Sequence, residues 1–210
     1  MVQRMKTLKQ HIAESKALHQ NVNIQENLKF KINRDNDIYA YHPTTWDKLR
    51  ELIRQRYKEF GPGTKNKPID FNDIDVSKLE TFASNNNRGV FEGTSFEYID
   101  ISDWNVSNIK SMQNLFYRCS YLVSIGDISN WDVSECECMS GMFCGCHKLE
   151  HIDISNWEIK KVKIADYMFA GCSNLKSVGD LSHWDVSHVE YMNNMFFCSG
   201  ITNTPDWYKK

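Results

Sequence analysis

The residues with the most obvious capacity for chemistry sit between positions 136 and 151. Cys136-x-Cys138 and Cys144-x-Cys146 are followed by His147 and His151. A structural zinc site needs four convergent nitrogen or sulfur donors, usually from cysteines two to four residues apart. Here a single residue separates each pair. Cys136 also occupies a slot held elsewhere by Ile109, Val162 and Val189, and Cys146 shares its slot with Cys119 and Cys172. Two of the four thiols therefore read as core, and the expectation is no metal and no cofactor. The cysteine count is seven, an odd number, and small buried thiols suit a reduced compartment better than a disulfide framework.

Carboxylates form a second candidate. Asp100, Asp127, Asp153 and Asp180 each precede a tryptophan by four residues, and Asp70 has the same place in a degenerate earlier copy. Such a row could line up calcium, but no second set of acidic ligands follows at loop spacing. Stacked without partners, the carboxylates would repel one another. The better expectation is that each accepts a main-chain N–H at a turn, helped by the serine two residues later. The histidines (His11, His19, His42, His147, His151, His183 and His188) fall at unrelated positions. No nucleophile elbow, phosphate loop or helical histidine pair is present. The chain reads as a non-enzyme with no catalytic residue.

What positions all of these residues is a repeat. Trp104, Trp131, Trp157 and Trp184 are 27, 26 and 27 residues apart. Twelve residues after them come Phe116, Phe143, Phe169 and Phe196. Other apolar slots keep register: Leu115, Met142, Met168 and Met195 at eleven, then Cys119, Cys146, Cys172 and Ser199 at fifteen. A degenerate unit starts at Ile69, with Ile74 in the tryptophan slot and an insertion, Asn85-Asn86-Asn87-Arg88, before Phe91 resumes the pattern. A unit of this length cannot bury its apolar stripe alone, so like must stack on like. Alternation over residues 99–102 and their copies predicts short strands in parallel register. Apolar offsets of eight, eleven, twelve and fifteen predict a short helical or 3₁₀ segment on the opposite side. The fold class is therefore α/β, a leucine-rich-repeat-like solenoid of about five 26–27-residue units with a helical N-terminal cap.

On these residues the chain resembles the BspA-like leucine-rich-repeat family, in the variant first catalogued as a mycoplasmal domain of unknown function. The opening over residues 127–134 (Asp127-Ile128-Ser129-Asn130-Trp131-Asp132-Val133-Ser134) and the closing M-F-x-x-C-x-x-L over residues 168–175 carry the likeness. It extends over residues 43 to about 202. The resemblance implies a non-catalytic recognition or adhesion scaffold, found in bacteria and their phages, with no catalytic residue to transfer.

The flanks complete the division. Residues 1–27 form a polar tail with Met5, Leu8 and Ile12 on one helical face, and residues 28–68 a strand (28–32) and a capping helix. The repeats fill 69–202, and 203–210 form a C-terminal cap. Pro43-Thr44 opens the helix, with Thr44 as cap and Asp47 answering it. Leu49, Leu52, Ile53, Tyr57 and Phe60 form its stripe, and Gly61-Pro62-Gly63 stops it. Its cations Lys48, Arg50, Arg54, Arg56 and Lys58 read as the solvated face of that helix rather than an anion site.

Net charge is −2, from 25 basic and 27 acidic residues, so nothing favours nucleic acid as a partner. No stretch has the length of a transmembrane segment and no secretory signal is evident, which places the chain in the cytoplasm at face value. Virion or surface association is the alternative. The expected function is a protein-interaction module whose contact surface lies between ladder positions: Asp103, Asn105, Asn108, Lys110, Asn130, Asp132, Glu135, Glu158, Lys160, Lys161, His183, Asp185, His188 and Glu190. The core ladder is Trp104, Trp131, Trp157 and Trp184 with Phe116, Phe143, Phe169 and Phe196. One alternative is a metal protein using the 136–151 cluster. Another is a phage-encoded internal or structural protein packaged through its N-terminal leader, because residues 5–14 resemble capsid-targeting leaders that end in a hydrophobic-x-Glu cleavage site, here Ile12-Ala13-Glu14 before Ser15. A helix start with no such role is the preferred reading of that segment.

Overall fold

The computed structural model describes residues 39–208. The tail, its leader motif, the strand expected at 28–32 and the last two lysines lie outside the described residues.

Helix α1 spans Trp46–Phe60. Its N-cap is Thr45, whose side chain accepts from the Lys48 N–H, so the cap sits one residue later than the Pro43-Thr44 pattern indicated. Gly61, at φ 72°, ends the helix by donating its N–H to the Tyr57 carbonyl. Leu49, Leu52 and Ile53 are buried against the first unit. The solvated-face reading fails for two of the five cations, because Arg50 and Arg56 are buried as well. Arg50 donates through Nη1 to the carbonyls of Gly89 (3.1 Å) and Val90, and through Nη2 to that of Glu92 (2.9 Å). Arg56 donates to the Asp70 carbonyl and forms a two-pronged 2.6 Å pair with Asp73. A long cation with a planar fork can reach carbonyls at the edge of a stack that no preceding unit pairs.

Each unit lies parallel against the next. Strand β1 (Ile69–Asp70) pairs in parallel with β2 (Ile99–Asp100), Ile69 opposite Ile99. Parallel bridges continue this line from Tyr98 to Ser124 and from His151 to Ser177. A second line, on the far side of the tryptophans, runs through Thr81, Ser111, Cys138, Ile164 and Tyr191 without interruption. These five residues stand seven after Ile74 and the four tryptophans.

The segment expected to be helical or 3₁₀ is neither. It is a run of hydrogen-bonded turns. In the first full unit Leu115 donates to Met112 and Cys119 to Phe116, with Asn114 (φ 55°) and Arg118 (φ 57°) at the third position of each turn. The later units repeat this with Gly141 and Gly145, then Tyr167 and Gly171. A positive φ twice per unit excludes helix and gives type II geometry. Opening the backbone in this way frees N–H groups to bond the next unit. Met112, Asn114, Phe116 and Arg118 donate to Cys138, Ser140, Met142 and Cys144 at 2.7–2.9 Å. Four such bonds recur at the next two steps, always from the earlier N–H to the later carbonyl.

Between the two bridge lines lies one continuous core. All eight expected ladder residues are buried. The phenylalanines stack along the whole array, Phe91 on Phe116 at 5.1 Å, then Phe143, Phe169 and Phe196 at 5.4, 5.5 and 5.6 Å. The indoles stack in pairs, Trp131 on Trp157 at 6.1 Å and Trp184 on Trp207 at 6.0 Å. Trp207 thus extends the indole row although it follows Trp184 by only 23 residues. Tyr208 closes the phenyl row edge-on against Phe196 at 5.2 Å.

Candidate interaction surface

The row of aspartates shapes the turns at one end of each unit. Oδ1 of Asp100, Asp127, Asp153 and Asp180 accepts the N–H two residues on at 2.9–3.0 Å, and Asp70 does the same at 2.8 Å. The Ser182 N–H and hydroxyl hold the Asp180 carboxyl below the usual carboxylate range. These groups are committed to backbone.

Several of the expected contact residues are committed too. Asn105, Asp132 and Asp185 accept the N–H of Ser107, Ser134 and Ser187 at 3.0–3.2 Å, and the serine bonds hold both aspartates low. Asn108 donates to the Ser77 carbonyl (2.8 Å), and His188 Nε2 stands 2.9 Å from the Ile159 carbonyl, each linking two units. Lys161 pairs with Glu135 at 2.6 Å. Asp103 and Asn130 are exposed.

Lys110 and Glu190 belong to a device that sequence reading missed. The slot six residues after the tryptophan holds Glu80, Lys110, Glu137, Lys163 and Glu190 in turn, an alternation of sign along the stack. Their backbones are bonded directly, each N–H to the carbonyl of the previous member at 2.7–2.9 Å. Lys110 pairs with Glu80 at 2.8 Å and Lys163 with Glu190 at 3.6 Å. At strand separation like charges would repel, so alternation allows an exposed row of ions to stack. The signal was available: reading one slot down the aligned units shows it.

Among the described residues a cleft interrupts this face. Its volume is about 220 Å³, and it is lined by Trp157, Glu158, Ile159, Lys160, His183, Trp184, Asp185 and His188. Five of the expected contact residues, Glu158, Lys160, His183, Asp185 and His188, therefore come together across two consecutive units. The third tryptophan unit has Glu158-Ile159-Lys160 where its neighbours have Asp-Val-Ser, so it lacks the side chain that closes the turn elsewhere. Glu158 bonds Lys160 instead, at 3.2 Å. The cleft lies between the two stacked indole pairs. Trp157 donates its indole N–H to the Ile128 carbonyl at 2.9 Å, whereas the N–H of Trp184 is buried without a partner, as is that of Trp131.

The family described as "Mycoplasma protein of unknown function, DUF285" matches the chain over residues 66–126 and 85–207. The chain belongs to this family. No curated protein and no solved structure matches it.

In this DUF285 member Cys119, Cys136, Cys146 and Cys172 are buried as packing groups. The Sγ of Cys119, Cys146 and Cys172 donates to the carbonyls of Phe91, Phe116 and Phe143 at 3.0–3.2 Å. Burial pushes the Cys119 thiol up to about 11 and those of Cys136 and Cys172 to about 12. Cys138 and Cys144 are half-buried, and His147 and His151 are exposed. Among the described residues no group of three or more His, Cys, Asp or Glu side chains is placed to hold a metal ion. No helix among them is long and apolar enough to cross a membrane. Exposed aromatics were also missed: Tyr121, Tyr167, Tyr191 and Phe197 each leave about half or more of their surface open.

Proposed function

We propose that the chain is a BspA-like, leucine-rich-repeat-like solenoid acting as a non-catalytic protein-interaction module, with its partner anchored in the cleft between the third and fourth tryptophan units. The observation that carries this reading is the convergence of Glu158, Lys160, His183, Asp185 and His188 around two indoles. A concave site with apolar walls and a few polar groups of both signs suits one anchoring side chain and its flanking hydrogen bonds. The same residues are poorly suited to catalysis. Lys160 is tied to Glu158, His188 faces a main-chain carbonyl and Asp185 is held by Ser187, an arrangement that suits anchoring contacts better than proton transfer.

Affinity capture tests this. The full chain and a His183→Ala, Lys160→Glu variant should be used as bait in parallel, with captured proteins identified by mass spectrometry and their binding re-measured with purified components. A partner held by the parent and lost by the equally folded variant supports the cleft. A partner that binds both alike places the contact elsewhere.

A further inference from the structure

The two ends of the stack are chemically unlike. Along the turn segments, inter-unit bonds run from the N–H of one unit to the carbonyl of the next. Among the described residues the first unit's outer carbonyls therefore have no main-chain donor in another unit, and the last unit's outer N–H groups no main-chain acceptor. At the first end Arg50 occupies the carbonyls of Gly89, Val90 and Glu92, with Arg56 on that of Asp70. At the last end the equivalent donors are the N–H groups of Met192, Asn194, Phe196 and Cys198. Their counterparts Ala165, Tyr167, Phe169 and Gly171 donate to Tyr191, Asn193, Met195 and Phe197, but these four have no acceptor among the described residues. Trp207 and Tyr208 cover the indole and phenyl rows at this end, not the hydrogen-bonding row. Tyr191 and Phe197, on the same segment, are 51% and 60% exposed.

We infer that this edge is a docking site for an extended segment of a partner protein, which adds as one more rung and carries a basic side chain opposite Glu190. The donor row supplies the main-chain half of the contact, as in strand addition to an open sheet edge. The sign of the side chain follows from the charged row. Glu80, Lys110, Glu137, Lys163 and Glu190 alternate, and Glu190 has its cation, Lys163, on one side only, so the next rung calls for a cation. A second folded copy does not fit. Two such ends face to face would oppose donor to donor, and head to tail the acceptor end is already held by Arg50. The site is separate from the cleft and does not rest on it.

The natural probe is a synthetic peptide copying residues 159–171 of this chain. In the folded protein the carbonyls of Ile164, Asp166, Met168 and Ala170 in that segment accept from Met139, Gly141, Phe143 and Gly145, with Lys163 following Glu137. Labelled peptide should be titrated into the full chain by fluorescence anisotropy, alongside a Lys163→Glu peptide and a scrambled one. Amide exchange of Asn194, Phe196 and Cys198 should be followed by NMR in the same samples. The parent peptide should bind and slow exchange of these amides on the order of tenfold or more. The Lys163→Glu peptide should bind about tenfold more weakly, and protein carrying Glu190→Lys should reverse that preference. Three results would overturn the inference. One is binding that ignores both charge changes. Another is binding without amide protection. The third is amides as protected in the free monomer, or in a self-associated form, as those of Tyr167, Phe169 and Gly171, since the edge would then already be filled by this chain.

Discussion

Trp157 shows how a single side chain joins two units. It is fully buried, stacks on Trp131 and donates its indole N–H to the Ile128 carbonyl. Trp157→Ala removes ring contacts and leaves that carbonyl one partner short, so chemical denaturation should show a loss of about 3–5 kcal/mol. His183→Ala, on the exposed rim of the cleft, should stay within about 0.5 kcal/mol. Equal losses would mean that the inward and outward sets are misassigned. The thiols give a second residue-scale test. Cys119, Cys136 and Cys172 are raised from 9.0 to about 11, 12 and 12 by burial, so the folded chain keeps protons that the unfolded chain releases above pH 9. Their contribution is fully present below that pH and is lost as pH rises towards 12. Urea midpoints should therefore fall through this range, and fall less steeply in Cys172→Ala than in the parent. Parallel curves would remove the thiols from the account.

At the scale of elements, α1 does more than cover apolar surface. Its Arg50 replaces the hydrogen bonds that a preceding unit would have supplied. Arg50→Met keeps most of the stem packing but strips donors from three carbonyls, and should destabilise by about 2–4 kcal/mol. Arg54→Met, on the exposed side of the same helix, should fall within about 0.5 kcal/mol, and thermal melts of the two variants distinguish them. Helix α1 ends at Gly61 and buries Leu49 and Leu52, yet sequence reading assigned its Arg50 and Arg56 to solvent. Amphipathic spacing cannot distinguish a cation facing water from one facing buried acceptors, because those acceptors lie outside the helix, some 40 residues on for Arg50 and 14 to 17 for Arg56. The turn segments misled for a related reason. Offsets of eight, eleven, twelve and fifteen suit a helix equally well. The contrary signal was the residue types at the left-handed positions, Asn114, Gly141, Gly145, Gly171 and Asn194, which spacing alone ignores.

For the whole molecule, the aligned tryptophan and phenylalanine slots carried the register, because identical rings a rung apart can pack only if their units are in step. The cleft was half legible. Its polar rim sat in the variable slots, but the gap between the indole pairs depends on packing that no single unit encodes. The charged row was fully legible and was overlooked because its members were weighed singly as surface. It makes a prediction that local reading would not. Lys163→Glu places three carboxylates in succession at positions 137, 163 and 190, while Lys163→Met only removes a cation. Exposed pairs contribute little each, so the Met variant should lose only a few tenths of a kcal/mol and the Glu variant more, up to about 1 kcal/mol. Raising the salt to about 1 M shortens the screening length to about 3 Å, below the strand separation, and should return most of the Glu variant's loss. Thermal melts at low and high salt separate the two ideas. A Glu variant whose deficit persists in salt has lost packing of the lysine stem, and the alternation of charge along the stack would then be incidental to its stability.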